Sequence, residues 1–151
     1  MLKFTGNCLL VPWDFSDMAL AALKTSMAMV SDCSKVKVVH VGLIPTATEP
    51  TVIWDTVTEQ TIQEYAAQNF RKTVAEHPEL AGLELITLFG DPGFAITDYA
   101  QEVAADLIVI SSHGRRGLSR LFMGSVAERV VRLAQVPVLV LRGPADAGDK
   151  K

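Results

Sequence analysis

Cysteine is almost missing from this chain. Two occur in 151 residues, Cys8 in an apolar run and Cys33 in a polar turn, with no CxxC spacing and no histidine beside them at metal-ligand spacing. That excludes a disulfide framework, a zinc ribbon and a dithiol redox motif, and both thiols are read as reduced bystanders. Long apolar runs are missing too. None reaches the roughly eighteen residues that cross a bilayer, and residues 1–7 lack the basic-then-apolar order of a secretory leader, so the expected location is cytoplasmic, without membrane insertion. A surplus of positive charge is a third absence. Lys and Arg number 14 against 17 Asp and Glu, for a net charge of −3, which argues against a general nucleic-acid binder and confines any anion site to a local patch. Finally, the sequence holds no Gly-x-x-x-x-Gly-Lys-Ser/Thr loop, no nucleophile elbow, no Ser-His-Asp order and no metal cluster. Strong enzymatic machinery is therefore not expected, and no residue is assigned a catalytic role.

What is present is the pattern of one globular domain over 1–143, followed by a tail, 144–151, without periodicity and expected to be disordered. Short runs rich in Val, Ile and Leu mark strands at 8–11, 36–41, 83–88, 107–110 and 138–141. They are apolar on both faces, as buried parallel strands are. Helical patterns lie between them. One spans 17–30 after Ser16 as N-cap, and a second spans 56–76 with a capping box of Thr56 and Glu59. A third spans 92–104. The last spans 125–134, with a capping box of Ser125 and Glu128 and with Pro137 closing it. Strand and helix alternate throughout, which predicts an α/β fold: a single open, doubly wound, five-stranded parallel sheet with helices on both faces, Rossmann-like in layout. The stretch 42–55, with two prolines and Trp54, is either a lid or a plain polar connection, and the plain connection is preferred.

In such sheets ligands bind beyond the carboxyl ends of the strands, where strand order reverses. Two strand ends carry unusual chemistry. The first runs into "VPWDFSD", which sets Asp14 just past the sheet, and the fourth runs into "SSHGRRG". If these strands are neighbours, Asp14 faces the glycine loop across a crevice. Gly114 and Gly124 bracket nine residues, and Ser125 opens the last helix. Glycines admit an anion close to backbone N–H groups, and the free amides at a helix start add partial positive charge, so the loop suits phosphate. Of Arg115, Arg116 and Arg120, one is expected to reach a phosphate. His113 is expected to touch ligand or shape the loop. His40 is expected in the core and His77 at a helix end.

The spacing resembles the universal stress protein family, whose ATP-binding members carry Gly-x-x-Gly, nine residues, then Gly and Ser or Thr. Here it reads Ser111-Ser112-His113-Gly114, nine residues, Gly124-Ser125, with Ser111 in place of the first glycine. The likeness covers nearly the whole chain: "LLVPWDFSDMALAAL" is similar to the family's first strand and helix, "VVHV" to its second strand and "VPVLVLR" to its last. The resemblance implies an adenine nucleotide alpha hydrolase-like fold and a nucleotide site. Pro12 and Asp14 match the adenine and ribose side, and Val41 matches a position whose backbone recognises adenine. Ile110 to Gly114, including Ser111 and His113, match the loop under ribose and phosphates, with Arg115 following. Gly124, Ser125, Val126 and Ala127 match the helix start that holds the phosphates.

The implied ligand is ATP, ADP or AMP, with any Mg²⁺ brought in by the nucleotide. Asp14, Asp17 and Asp91 are the carboxylates it would meet, with solvated or capping roles expected for Asp17 and Asp91. The implied assembly is a homodimer through 138–141, whose bare apolar edge would otherwise invite aggregation. Two functions stay open: a stress-response regulator whose nucleotide occupancy modulates an unknown protein partner, with hydrolysis slow or absent, and a nucleotide-independent dimeric interaction module. A flavodoxin-like carrier is discounted, because "VPWDFSD" lacks the hydroxyl-rich phosphate loop it needs.

Overall fold

The computed structural model describes residues 3–44, 57–114 and 123–143. Trp54, Thr56, Arg115, Arg116, Arg120 and the tail 144–151 lie outside the described residues. Strands and helices alternate in the order β1 (Leu9–Pro12), α1 (Asp17–Met29), β2 (Val36–Gly42), α2 (Glu59–Glu76), β3 (Leu85–Phe89), α3 (Pro92–Glu102), β4 (Leu107–Ser111), α4 (Ser125–Leu133) and β5 (Val138–Leu141). All pairings are parallel, in the order β3-β2-β1-β4-β5. The predicted α/β sheet is thus the observed one. Its strand order reverses between β1 and β4, so the first and fourth strands are neighbours.

Alternation along the central strands divides the core into two layers. Leu9 and Val11 point to one face, where α1 and α2 supply Ala19, Leu23 and Phe70. Leu10 points to the other, with Ile96 and Ala100 from α3 and Ala127 and Val130 from α4. Leu9, Leu10, Val11, Ile108 and Val109 are essentially without solvent contact, which explains why these runs are apolar on both faces. In α1 the buried positions Ala19, Ala22, Leu23, Ser26 and Met29 follow helical spacing. Ser26 avoids an unpaired hydroxyl by donating to the Ala22 carbonyl at 2.8 Å.

The helix ends show where local chemistry departs from the expected boundaries. Ser16 caps α1 as predicted, accepting from the Ala19 N–H at 3.1 Å. For α2 the box forms two residues later than expected, between Thr58 and Thr61, because Thr61 can reciprocate the cap with its own hydroxyl. The Ser125 and Glu128 box does not form. Gly124 is the N-cap of α4, no side chain caps it, and Ser125 is already the first helical residue. At α3, Asp91 is the N-cap and also pairs with Arg129 at 3.2 Å. That helix stops at Glu102, short of Ala104, because Ala104 turns into the left-handed region at φ 49°. The Ala104 N–H donates to Gln101 and the Ala105 N–H to Ala100, the double bond of a Schellman stop. Gly usually fills this position, so an alanine there carries no local signal of a helix stop.

At the amino end of the sheet, the Asp106 carboxylate accepts from the Asn7 N–H at 2.7 Å and the Cys8 N–H at 3.0 Å. It ties the entries of β4 and β1 together. Those two backbone bonds hold its carboxyl below the usual range.

Candidate nucleotide site

The exit of β1 is built around a strained residue. Phe15 sits at φ 64°, rare for a bulky side chain and costing on the order of 1–3 kcal/mol. Its ring meets Trp13 edge-on at 5.8 Å and His40 at 4.9 Å, and Trp13 in turn packs on the buried Phe70 at 5.3 Å. The turn is closed by Asp14, whose Oδ1 accepts from the Ser16 N–H at 3.0 Å and from the Ser16 hydroxyl. Because Ser16 also caps α1, Asp14 is fastened to the helix start through one oxygen.

Its other oxygen faces β4. A Cβ added at Gly114 would stand 2.6 Å from Asp14 Oδ2, and φ at Gly114 is not in the left-handed region. A side chain there would have to displace the Asp14 carboxylate, while backbone torsion makes no demand for glycine. Torsion makes none at Gly124 either, whose φ is −60°. Its N–H donates to the Ser112 carbonyl at 2.6 Å, and a Cβ there would lie 3.1 Å from that oxygen. The Ser112 N–H donates onward to Leu141 of β5 at 2.8 Å. One backbone knot thus joins the end of β4, the start of α4 and the end of β5.

The uncapped start of α4 leaves the amides of Ser125, Val126 and Ala127 as ready anion donors. Ser125 and Val126 are exposed, whereas Ala127 is buried in the core and offers backbone only. Ile110 and Ser111 are likewise buried, so they too can contribute only backbone and a shielded hydroxyl. Pro12 and Val41 are half-buried at the ends of β1 and β2. His113 keeps its Nδ1 3.0 Å from Ser112 Oγ, while its Nε2 is buried without a partner among the described residues. An orphaned ring nitrogen of this kind costs about 1–3 kcal/mol unless something else meets it. Between Gly114 and the start of α1 lies an open groove of about 360 Å³, lined by Phe15, Ser16, Asp17, Met18 and Gly114. That is within the size range of small-ligand sites.

Of the residues singled out in the sequence, the structure brings Asp14 onto Gly114 and Gly124 onto the Ser112–Gly114 backbone. Arg115 lies outside the described residues. His77 is the C-cap of α2, as expected. His40 is half-buried rather than sealed in the core, and its Nδ1 bonds the Trp13 carbonyl at 2.8 Å. The sequence singles out Ser16 only as the N-cap of α1 and Ser112 only as part of the loop, and it does not single out Phe15. The Asp-x-Ser spacing of residues 14 to 16, a common local turn, was the signal for Ser16; nothing in the sequence marks a phenylalanine as left-handed.

A parallel sheet whose order reverses between β1 and β4, with the Ser112–Gly114 backbone seated against the start of α4, defines an α/β protein of doubly wound layout. The universal stress protein family matches residues 8–142, and the chain belongs to that family. A universal stress protein of Methanocaldococcus jannaschii is 34% identical over 141 residues, covering 90% of this chain and 82% of the relative. Among solved structures, a universal stress protein of Lactobacillus plantarum superposes with a TM-score of 0.71 at 26% identity, covering 90% of this chain and 97% of the other. A universal stress protein of Archaeoglobus fulgidus, solved in complex with dAMP, superposes with a TM-score of 0.52 at 26% identity, covering 91% and 98%. No helix among the described residues is long and apolar enough to cross a membrane.

Proposed function

We propose that the carboxyl end of the sheet is an adenine-nucleotide site and that the protein is a cytoplasmic stress-response regulator whose nucleotide occupancy alters how it binds a protein partner. The observation that carries this is the uncapped start of α4, seated through Gly124 on the loop that Asp14 flanks. Pro12, Asp14 and Val41 form the base and ribose side. The backbone from Ile110 through Ser111 and His113 to Gly114 lies under ribose and phosphates, and the unpartnered Nε2 of His113 is available to a ligand oxygen. The amides of Ser125, Val126 and Ala127, with the Ser125 hydroxyl, take the phosphates, and Arg115 follows the loop. The relative solved with dAMP supports the ligand class. The ligand is ATP, ADP or AMP, and any Mg²⁺ arrives with the phosphates.

Hydrolysis is slow or absent in this reading, because fast phosphoryl transfer needs a positioned base and metal and no residue is assigned to either task. Two copies pair through β5, whose four residues, Val138 to Leu141, are half-buried along an open apolar edge. Leu139→Pro should then give monomers or insoluble protein, and light scattering of a monomeric wild type at tens of micromolar would contradict the dimer.

Mass spectrometry of small molecules released from freshly purified protein, joined to calorimetry with ATP and AMP, tests the site. Adenine nucleotide should bind at micromolar concentration, about 8 kcal/mol of binding free energy. No binding at millimolar ligand would leave the fold as a nucleotide-independent interaction module.

A further inference from the structure

We infer that His40 is a positioning residue for base recognition: by holding the Trp13 carbonyl it ends the β1–β2 ladder one bond early and frees the Val41 backbone to read the base. This rests on the adenine-nucleotide reading above. In a parallel pair each residue facing its neighbour donates to one residue and accepts from another two positions on. The Trp13 N–H donates to Val39 at 2.7 Å, so the next bond of the ladder would run from the Val41 N–H to the Trp13 carbonyl. That carbonyl instead lies 2.8 Å from His40 Nδ1. A carbonyl oxygen only accepts, so Nδ1 carries the hydrogen and donates it. No hydrogen bond joins Val41 to Trp13 among the described residues.

Backbone groups of alternate residues point to the same neighbouring strand. Val39 faces β1, and so does Val41, at a level where β1 has already turned away through Asp14 and Phe15. Its N–H and C=O therefore present one donor and one acceptor past the end of the ladder. That pair complements the edge of a 6-amino purine, which offers a ring-nitrogen acceptor and an amino donor. It opposes a 6-oxo purine, which offers a ring N–H and a carbonyl. The His40 ring also buttresses Phe15 edge-on at 4.9 Å, so one side chain holds both the freed carbonyl and the strained turn.

Calorimetry with AMP and IMP on the wild type, His40→Asn and His40→Leu tests this. The Asn amide can stand where Nδ1 stands and donate to the same carbonyl, whereas Leu cannot. The wild type and His40→Asn should prefer AMP over IMP by about tenfold or more, the scale of mismatched hydrogen bonds in a shielded site. In His40→Leu the preference should shrink to within about threefold, while thermal unfolding stays cooperative. A His40→Leu protein that keeps the wild-type AMP/IMP ratio would overturn the role of His40 and leave the nucleotide site standing. A wild type that binds neither would overturn both. Should His40→Leu not fold, hydrogen exchange in the ligand-free wild type decides: a Val41 amide that exchanges fast and slows with AMP supports the role, and one already protected without ligand contradicts it.

Discussion

Two residues other than glycine adopt left-handed backbone among the described residues, one at each end of the sheet, and they serve different ends. Ala104 lies at the amino end, where it stops α3 in a Schellman turn whose bonds are complete, next to an Asp106 carboxylate that satisfies two backbone amides. Phe15 lies at the carboxyl end, where its torsion swings Asp14 onto Gly114 beside an uncapped helix and an unpartnered His113 nitrogen. At the amino end the Ala104, Ala105, Asn7 and Cys8 amides all have partners. At the carboxyl end the strain is held by aromatic packing and polar capacity is left over. Spare polar capacity beside a strained turn supports the site proposed at this end.

Substitutions at the two ends should separate binding from stability. The largest effect is expected for Gly114→Val, whose side chain would collide with Asp14 Oδ2. Nucleotide affinity should fall about a hundredfold or more, roughly 3 kcal/mol, with a small change in unfolding temperature. Phe15→Gly removes both the strain and the ring contacts, which offset each other in stability to within about 1 kcal/mol. Its looser turn should still weaken nucleotide binding about tenfold, and a calorimetric titration showing unchanged affinity would dissolve the contrast between the two ends.

Asp106 should make the amino end sensitive to acid without affecting ligand. Its folded pKa lies below the ordinary value of about 4, so its contribution is present above that value and is lost as pH falls through the folded pKa. Asp106→Asn should flatten the acid limb of stability measured by urea unfolding between about pH 5 and 2. Ala104→Gly should raise stability by about 0.5–1 kcal/mol and leave nucleotide affinity alone, since glycine occupies this torsion without penalty. The smallest effect is expected at Ser111, where φ is not in the left-handed region and the residue sits in the β4–β5 ladder. Ser111→Gly should change affinity by less than about 1 kcal/mol.

Sheet and helices were legible in the sequence because burial on both faces leaves apolar runs that only a covered parallel sheet explains, and strand order followed once β1 and β4 proved adjacent. The glycines were legible as a pair, but the packing around them was not. Gly114 and Gly124 are small so that Asp14 and the Ser112 carbonyl can approach, a tertiary fact that spacing alone does not carry. The Ser125 box failed because Gly124 took the cap, with its N–H bonded to the Ser112 carbonyl, and a capping pattern cannot register a partner twelve residues upstream. His40 was read as core from its strand position. Its bond to Trp13 depends on β1 ending there, which the local sequence does not state.

The most direct test is backbone amide NMR of the uniformly ¹⁵N-labelled protein titrated with AMP. The shifts should move first and furthest at Val41, Gly114, Ser125, Val126 and Ala127, while Asn7, Cys8 and Ala105 at the opposite end stay still. Shifts confined to the amino end, or none at millimolar AMP, would contradict a nucleotide site at the carboxyl end of the sheet.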